Sequence, residues 1–260
     1  MAEYGLMVAP NGARRGRGDH CQLPVTVQQT AETAAACFAA GAQALHLHVR
    51  DDEGRHSLDA GRYREALDAV QESAPGMAVQ ITTESAGLYD AAAQLACLEA
   101  LRPAAASVSV REMAREPQLA ARAYALSLEA GTQVQHILYG PECIAQLSAW
   151  HQDGTVPRAM RDAIFVLGRY NPPVLAQPEG LDAFRDATAD LRLTWTVCAF
   201  GRREHACLLA AVAAGGDARI GFENNIETPE GGLLADNAAS VAAFVQAARD
   251  AGHSLKECRS

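Results

Sequence analysis

The chain has 260 residues, 49% hydrophobic and 20% charged, with a formal net charge of −9. That is enough apolar content for one large α/β domain over 1–260, while the negative charge disfavours nucleic-acid binding, which needs a basic face. No apolar run is long enough to span a bilayer, and the opening Met1-Ala2-Glu3-Tyr4-Gly5 is not a basic-then-apolar leader.

In chain order, strand-like runs are expected at 4–9, 43–49, 77–83, 104–110, 132–138, 162–168, 193–199 and 217–222. Amphipathic, alanine-rich stretches of helical length follow them at 26–40, 60–73, 90–101, 116–130, 141–152, 178–190, 203–214 and 235–251. Eight strand–helix units in this length match a single (β/α)8 TIM barrel. An open doubly wound sheet competes, but it usually carries Gly-x-Gly-x-x-Gly after its first strand, and that pattern is absent. Seven cysteines (Cys21, Cys37, Cys97, Cys143, Cys198, Cys207, Cys258) form no Cys-x-x-Cys pair. They read as small core residues of a reducing, cytoplasmic compartment.

A barrel places its chemistry at the C-terminal ends of the strands. His46 and His48 end the second strand, and the two-residue repeat puts both imidazoles on one face. Such a pair is half of a metal site, or else an interior pair satisfied by hydrogen bonds. Thr82, Thr83 and Glu84 end the third strand, and Ser107 and Ser109 line the fourth. Glu223 and Asn224 end the eighth, with Arg219 within it. Which hydroxyl of each pair faces inward is open, because a register choice flips the face. His136 reads as a packed, hydrogen-bonded histidine.

Several segments, in order over nearly the whole chain, resemble the β-keto acid cleavage enzymes. They include Ala9-Pro10-Asn11-Gly12, His46-Leu47-His48-Val49-Arg50-Asp51, Gln80-Ile81-Thr82-Thr83-Glu84, Cys198-Ala199-Phe200-Gly201-Arg202 and Arg219-Ile220-Gly221-Phe222-Glu223-Asn224. The resemblance implies a zinc barrel enzyme, often homotetrameric, that condenses a β-keto acid with acetyl-CoA to give acetoacetate and a new acyl-CoA. It implies His46, His48 and Glu223 as ligands for Zn2+ or another divalent metal. Arg219 would balance charge on oxygen. Thr82 or Thr83 would stand near the substrate carboxylate, and Ser107 or Ser109 would match a family hydroxyl.

Two departures bear on chemistry. Asn224 stands where the family pattern has Asp, and a carboxamide is no base; Glu84, where many relatives show glycine, is expected to supply the missing carboxylate. Arg14 stands where members acting on an amino-bearing substrate carry Glu. Its charge points to a neutral or anionic β-keto acid rather than cationic 3-keto-5-aminohexanoate, unless Arg14 meets solvent or the CoA phosphates. Two rivals stand beside this reading. An amidohydrolase-like barrel would have its His-x-His on the first strand and an Asp after the eighth. A non-catalytic metabolite-binding barrel would hold no metal.

Overall fold

The structure, a computed structural model, describes residues 2–257. Cys258 lies outside the described residues. Eight parallel strands close into a barrel: β1 (Leu6–Val8), β2 (Ala44–Leu47), β3 (Ala78–Thr82), β4 (Ala105–Ser109), β5 (Gln133–Leu138), β6 (Asp162–Leu167), β7 (Thr194–Ala199) and β8 (Asp217–Ile220). Each strand pairs with its sequence neighbours, and β8 closes onto β1 through Ala218↔Leu6 and Ile220↔Val8. The helices are α1 (Val27–Ala39), α2 (Ala60–Ser73), α3 (Ala91–Leu101), α4 (Pro117–Ala130), α5 (Pro141–Asp153), α6 (Gly180–Thr188), α7 (Glu204–Ala213) and α8 (Asn237–Asp250). None of the described helices is long and apolar enough to cross a membrane.

Local chemistry starts most helices where the pattern placed them. Thr26 makes a reciprocal capping box with Gln29, and Asp59, Asp90 and Asp236 each accept a backbone N–H from the first turn. Pro117 and Pro141 open α4 and α5, where a missing N–H costs nothing. The strands read as apolar because one set of alternate residues packs under the helices. Leu45, Leu47, Ile81, Ala106 and Val108 in this set are almost fully buried. The other set faces into the barrel and is largely polar: His46, Gln80, Gln135, Thr196 and Arg219 are buried there.

Three details differ from the sequence pattern. The second strand ends at Leu47, so His48 lies just beyond it; Val49–Arg50 then turn to pair antiparallel with His56–Ser57. A four-residue helix, Val110–Met113, follows β4 directly, where the apolar run was read as strand. The helix expected over 178–190 is shorter and ends in a 3-10 turn at Ala189–Leu191. Of the described cysteines, five are buried and free, and Cys21 is free and exposed.

Candidate active site

Backbone geometry at two glycines brings the site together. Gly221, just past β8, has φ +138, and a Cβ there would lie 2.4 Å from the Ala9 carbonyl oxygen. Only glycine allows the eighth strand to fold over the first at this point. Gly12 (φ +62) leaves the space that the Glu223 side chain fills, since a Cβ on it would meet Glu223 Cγ at 2.4 Å. Glu223 is thereby delivered beside the two histidines. His46 Nε2 and His48 Nε2 lie 3.2 Å apart, and Glu223 Oε2 lies 3.6 Å and 3.4 Å from them. All three residues are buried, and their donor atoms lie within 4.8 Å of one another.

This donor set fits a divalent cation. Glu223 Oε2 is buried without a hydrogen-bond partner among the described residues. An orphaned carboxylate oxygen facing two imidazole nitrogens is costly unless a cation joins them. Two nitrogens and one oxygen leave positions open for substrate, as catalytic rather than structural sites do.

The barrel floor orients the first ligand. His46 Nδ1 meets Gln80 Oε1 at 2.7 Å, Gln80 Nε2 donates to Gln135 Oε1 at 3.2 Å, and Gln135 Nε2 donates to Thr196 Oγ1 at 3.1 Å. Because the Gln80 amide nitrogen is engaged, its carbonyl faces the imidazole, so Nδ1 carries the proton and Nε2 offers a lone pair to the site. Burial, then the Arg219 charge, push His46 down to about 3, which keeps it neutral. Burial alone would raise the Glu223 carboxyl, but Arg219, with help from His46 and His48, holds it well below the usual carboxylate range. The structure therefore supplies a neutral His46 imidazole and a carboxylate anion, the protonation that metal binding requires of these two ligands.

Arg219 Nη2 donates to Glu223 Oε1 at 2.9 Å and to Asn224 Oδ1 at 3.3 Å. Asn224 is fully buried and outside the cavity wall, behind the arginine. Glu84 lines the cavity, and its carboxylate accepts no hydrogen bond among the described residues. Its backbone is tied down instead. His56 Nε2 donates to Glu84 O at 2.7 Å, and Glu84 N donates to Thr82 Oγ1 at 3.0 Å. The next residue, Ser85, donates twice to the buried Glu112 carboxylate, at 3.0 and 2.8 Å. Burial raises the Glu84 carboxyl above its ordinary value; Glu223 and Glu112 push the same way, against His48.

The cavity at the mouth has about 780 Å³ of empty space, part of it open solvent. His46, Glu84, Arg219, Glu223 and Arg14 all line it, so the residues singled out on β2, β3, β8 and the β1 loop meet in one place. The four hydroxyls do not line it. Thr82 faces inward with Ser107, whose hydroxyl donates to Thr82 Oγ1 at 3.0 Å, while Thr83 turns to the Ser107 carbonyl. Ser107 and Ser109 are two residues apart and share the inner face; the Ser109 hydroxyl is buried without a partner among the described residues. His136 is packed and hydrogen-bonded to Tyr124 and Met160 O.

Several residues that organise the site carried no separate signal. Arg50 closes the loop after β1 by donating to the carbonyls of Asn11, Gly12, Ala13 and Arg15. It was visible only as part of the His46–Asp51 segment. His56, a loop histidine in the sequence, packs its ring 5.1 Å from that of His48. Glu204 and Asn237 hold the turn that bears Glu223: Gly221 N donates to Glu204 at 3.1 Å, and Phe222 N to Asn237 at 2.9 Å. Arg111, in the short helix after β4, also lines the cavity. The signal available for these was position alone, next to strand ends.

Comparison with known proteins bears on this arrangement. The family model described as beta-keto acid cleavage enzyme matches residues 5–259. The chain belongs to this family. A 3-keto-5-aminohexanoate cleavage enzyme of Fusobacterium nucleatum subsp. nucleatum is 26% identical over 98% of this chain and 94% of its own length. A 3-oxoadipate:acetyl-CoA acetyltransferase of Cupriavidus necator is 28% identical over 91% of this chain and 85% of its own. Among solved structures, ObcA in binary complex with oxaloacetate aligns with TM-score 0.66 at 15% identity, over 91% of this chain and 66% of that one. At that identity the likeness speaks for the barrel fold alone.

Proposed function

We propose that this family member is a zinc-dependent enzyme that condenses a β-keto acid with acetyl-CoA, giving acetoacetate and a new acyl-CoA. The observation that carries the reading is the convergence of His46, His48 and the orphaned Glu223 oxygen, with His46 and Glu223 lining one cavity together with Arg219 and the unpaired Glu84. When bound by His46, His48 and Glu223, a divalent cation supplies Lewis-acid stabilisation of an enolate. Zinc suits two imidazoles and a carboxylate.

The chain's own groups do the rest. Glu84 takes a proton from the carbon between the carboxylate and the ketone of the β-keto acid. Its raised pKa makes it a better base and lets it return that proton later. The carbanion attacks the acetyl thioester, the CoA thiolate leaves, and the thiolate then adds to the original ketone. Cleavage of the adjoining carbon–carbon bond yields the new acyl-CoA, and Glu84 gives its proton to the acetoacetate carbon. Arg219 balances negative charge on oxygen through a fixed guanidinium. Asn224 acts through Arg219, which it holds at 3.3 Å, and not as the base. Thr82 and Ser107 brace the segment that carries Glu84.

Arg14 at the cavity edge disfavours an amine-bearing substrate, so a neutral or anionic β-keto acid is the proposed partner of acetyl-CoA. A cytoplasmic homotetramer built from one-domain subunits is the proposed form. Leu88, Leu128 and Leu233, each more than half exposed, offer apolar area for such contacts. The test is zinc-loaded protein incubated with acetyl-CoA and a panel of cationic, neutral and anionic β-keto acids. Acetoacetate and a new acyl-CoA appearing in equal amounts support the proposal. Zinc-loaded protein that forms neither product from any member of the panel contradicts it.

A further inference from the structure

The cavity is cationic in a chain that is acidic overall. Its walls carry four guanidiniums (Arg14, Arg111, Arg169 and Arg219) against two carboxylates, Glu84 and Glu223, while the whole chain has a net charge of −9. Arg219 is neutralised by Glu223 at 2.9 Å. Arg111 is not neutralised by anything: it has no carboxylate partner among the described residues. Its neighbour Glu112 is turned away, with its oxygens taken by Ser85 and Gln94. The Arg111 guanidinium carbon lies over the Tyr139 ring, 3.5 Å from the centroid. That contact orients the planar fork without consuming its hydrogen-bond donors.

Position makes this arginine a receptor for one end of the substrate. In the eight-stranded order, β5 lies opposite β1, and the metal-donor triad flanks β1 from β2 and the end of β8. Ile137 and Tyr139 rise from β5 on one face, and with Val166 and Phe200 they make the apolar side of the cavity. An acyl tail that left the donor triad across the mouth would run over this side toward Arg111 and Tyr139, which line the same cavity. An unpaired guanidinium there favours a carboxylate terminus, which it grips with two parallel N–H donors, over a methyl terminus.

We infer that Arg111 is a specificity residue that binds the distal carboxylate of a β-keto acid carrying a second acid group at its far end. This rests on the β-keto acid reading above. It assigns the anion to Arg111, which Tyr139 holds in place, whereas Arg14, exposed like Arg111, stands in the Gly-rich loop after β1. The CoA phosphates are the competing source of negative charge, and the experiment separates the two.

The test uses two substrates of equal length, 3-oxoadipate and 3-oxohexanoate, with the parent protein and Arg111→Gln. The parent should favour the diacid at least tenfold in kcat/KM. The variant should lose at least tenfold more on the diacid than on the monoacid, with the acetyl-CoA KM little changed. Equal losses on both substrates, or a loss expressed in the acetyl-CoA KM, would overturn the assignment in favour of CoA contact or packing. Binding of unreactive adipate and hexanoate to zinc-loaded protein, followed by calorimetry, gives an answer independent of turnover. Adipate should bind at least tenfold tighter, and Arg111→Gln should erase the difference. If neither keto acid reacts but that preference is present and lost in the variant, the subsite stands and the reaction assignment fails. Equal binding of the two acids by the parent sinks the subsite whatever the turnover. Circular dichroism of the variant confirms that it is folded.

Discussion

The two sides of the cavity differ in how they are built. On the β2–β3–β8 side, hydrogen bonds from behind hold His46, Arg219 and the backbone around Glu84, while Glu223 Oε2 and the Glu84 carboxylate stay unpaired. Gln80 fixes His46, Asn224 and Glu223 fix Arg219, and His56, Thr82 and Glu112 fix the segment of Glu84. On the β4–β6 side the wall is apolar, with Ile137 and Val166 beside Tyr139, and its cations are Arg111, stacked on Tyr139, and Arg169 just past β6. The first side is rigid by virtue of its hydrogen-bond network; the second offers shape and cationic charge. On the proposed roles, the contrast makes reaction and specificity separable, because different strands carry them.

The largest effect that tests this division falls on Glu84. Glu84→Gln should lower kcat by 10²–10⁴-fold, the usual yield of general acid–base catalysis, with bound zinc and KM little altered. Single-turnover kinetics with zinc analysis on the same sample checks it, and a variant that keeps its turnover removes Glu84 as the base. A smaller effect is expected one layer below. Gln80→Leu breaks the hydrogen bond that selects the His46 tautomer, and should weaken zinc binding by about 10–100-fold. Competition with a chelator reads this out. Gln80→Glu, which keeps an acceptor for Nδ1, should restore much of the affinity, a recovery that loss of packing alone would not give.

The least effect on turnover, and the clearest on stability, is expected at Glu204. Its folded pKa is raised to about 8 by burial, above its ordinary value of 4.5. The neutral form is therefore the one the fold favours. Stability is fully present below about pH 4.5 and is lost as pH rises through about 8. Glu204→Gln is permanently neutral and should match the parent at pH 4.5. It should exceed the parent by on the order of 3 kcal/mol at pH 7. Urea unfolding at a series of pH values shows whether the gap opens in that window; parallel curves contradict the burial account.

Much of this molecule was legible before its structure. The eight apolar runs mark the eight strands, since each buries one face under helices, and the donor residues stand at strand ends where a barrel needs them. Thr82 and Thr83 were not separable, because adjacent residues on a strand face opposite ways and only the register decides. The choice posed between Ser107 and Ser109 was not a real one, because residues two apart on a strand share a face. Arg111 and Glu112 escaped notice for a physical reason: Val110 continues the apolar run of β4, and nothing local announces that the chain turns into a helix there. His56 and Arg50 were invisible because their partners, Glu84 and the β1 loop, lie 28 and 35–39 residues away in sequence.

The most direct test of the central claim is to titrate metal-free protein with Zn2+ while following acetoacetate formation and bound zinc on the same samples. The account predicts that both saturate together at about one zinc per chain, and that Glu223→Gln, which removes the anionic ligand while keeping the shape, loses both. Full turnover by metal-free protein in the presence of chelator, or undiminished zinc affinity in Glu223→Gln, would contradict it.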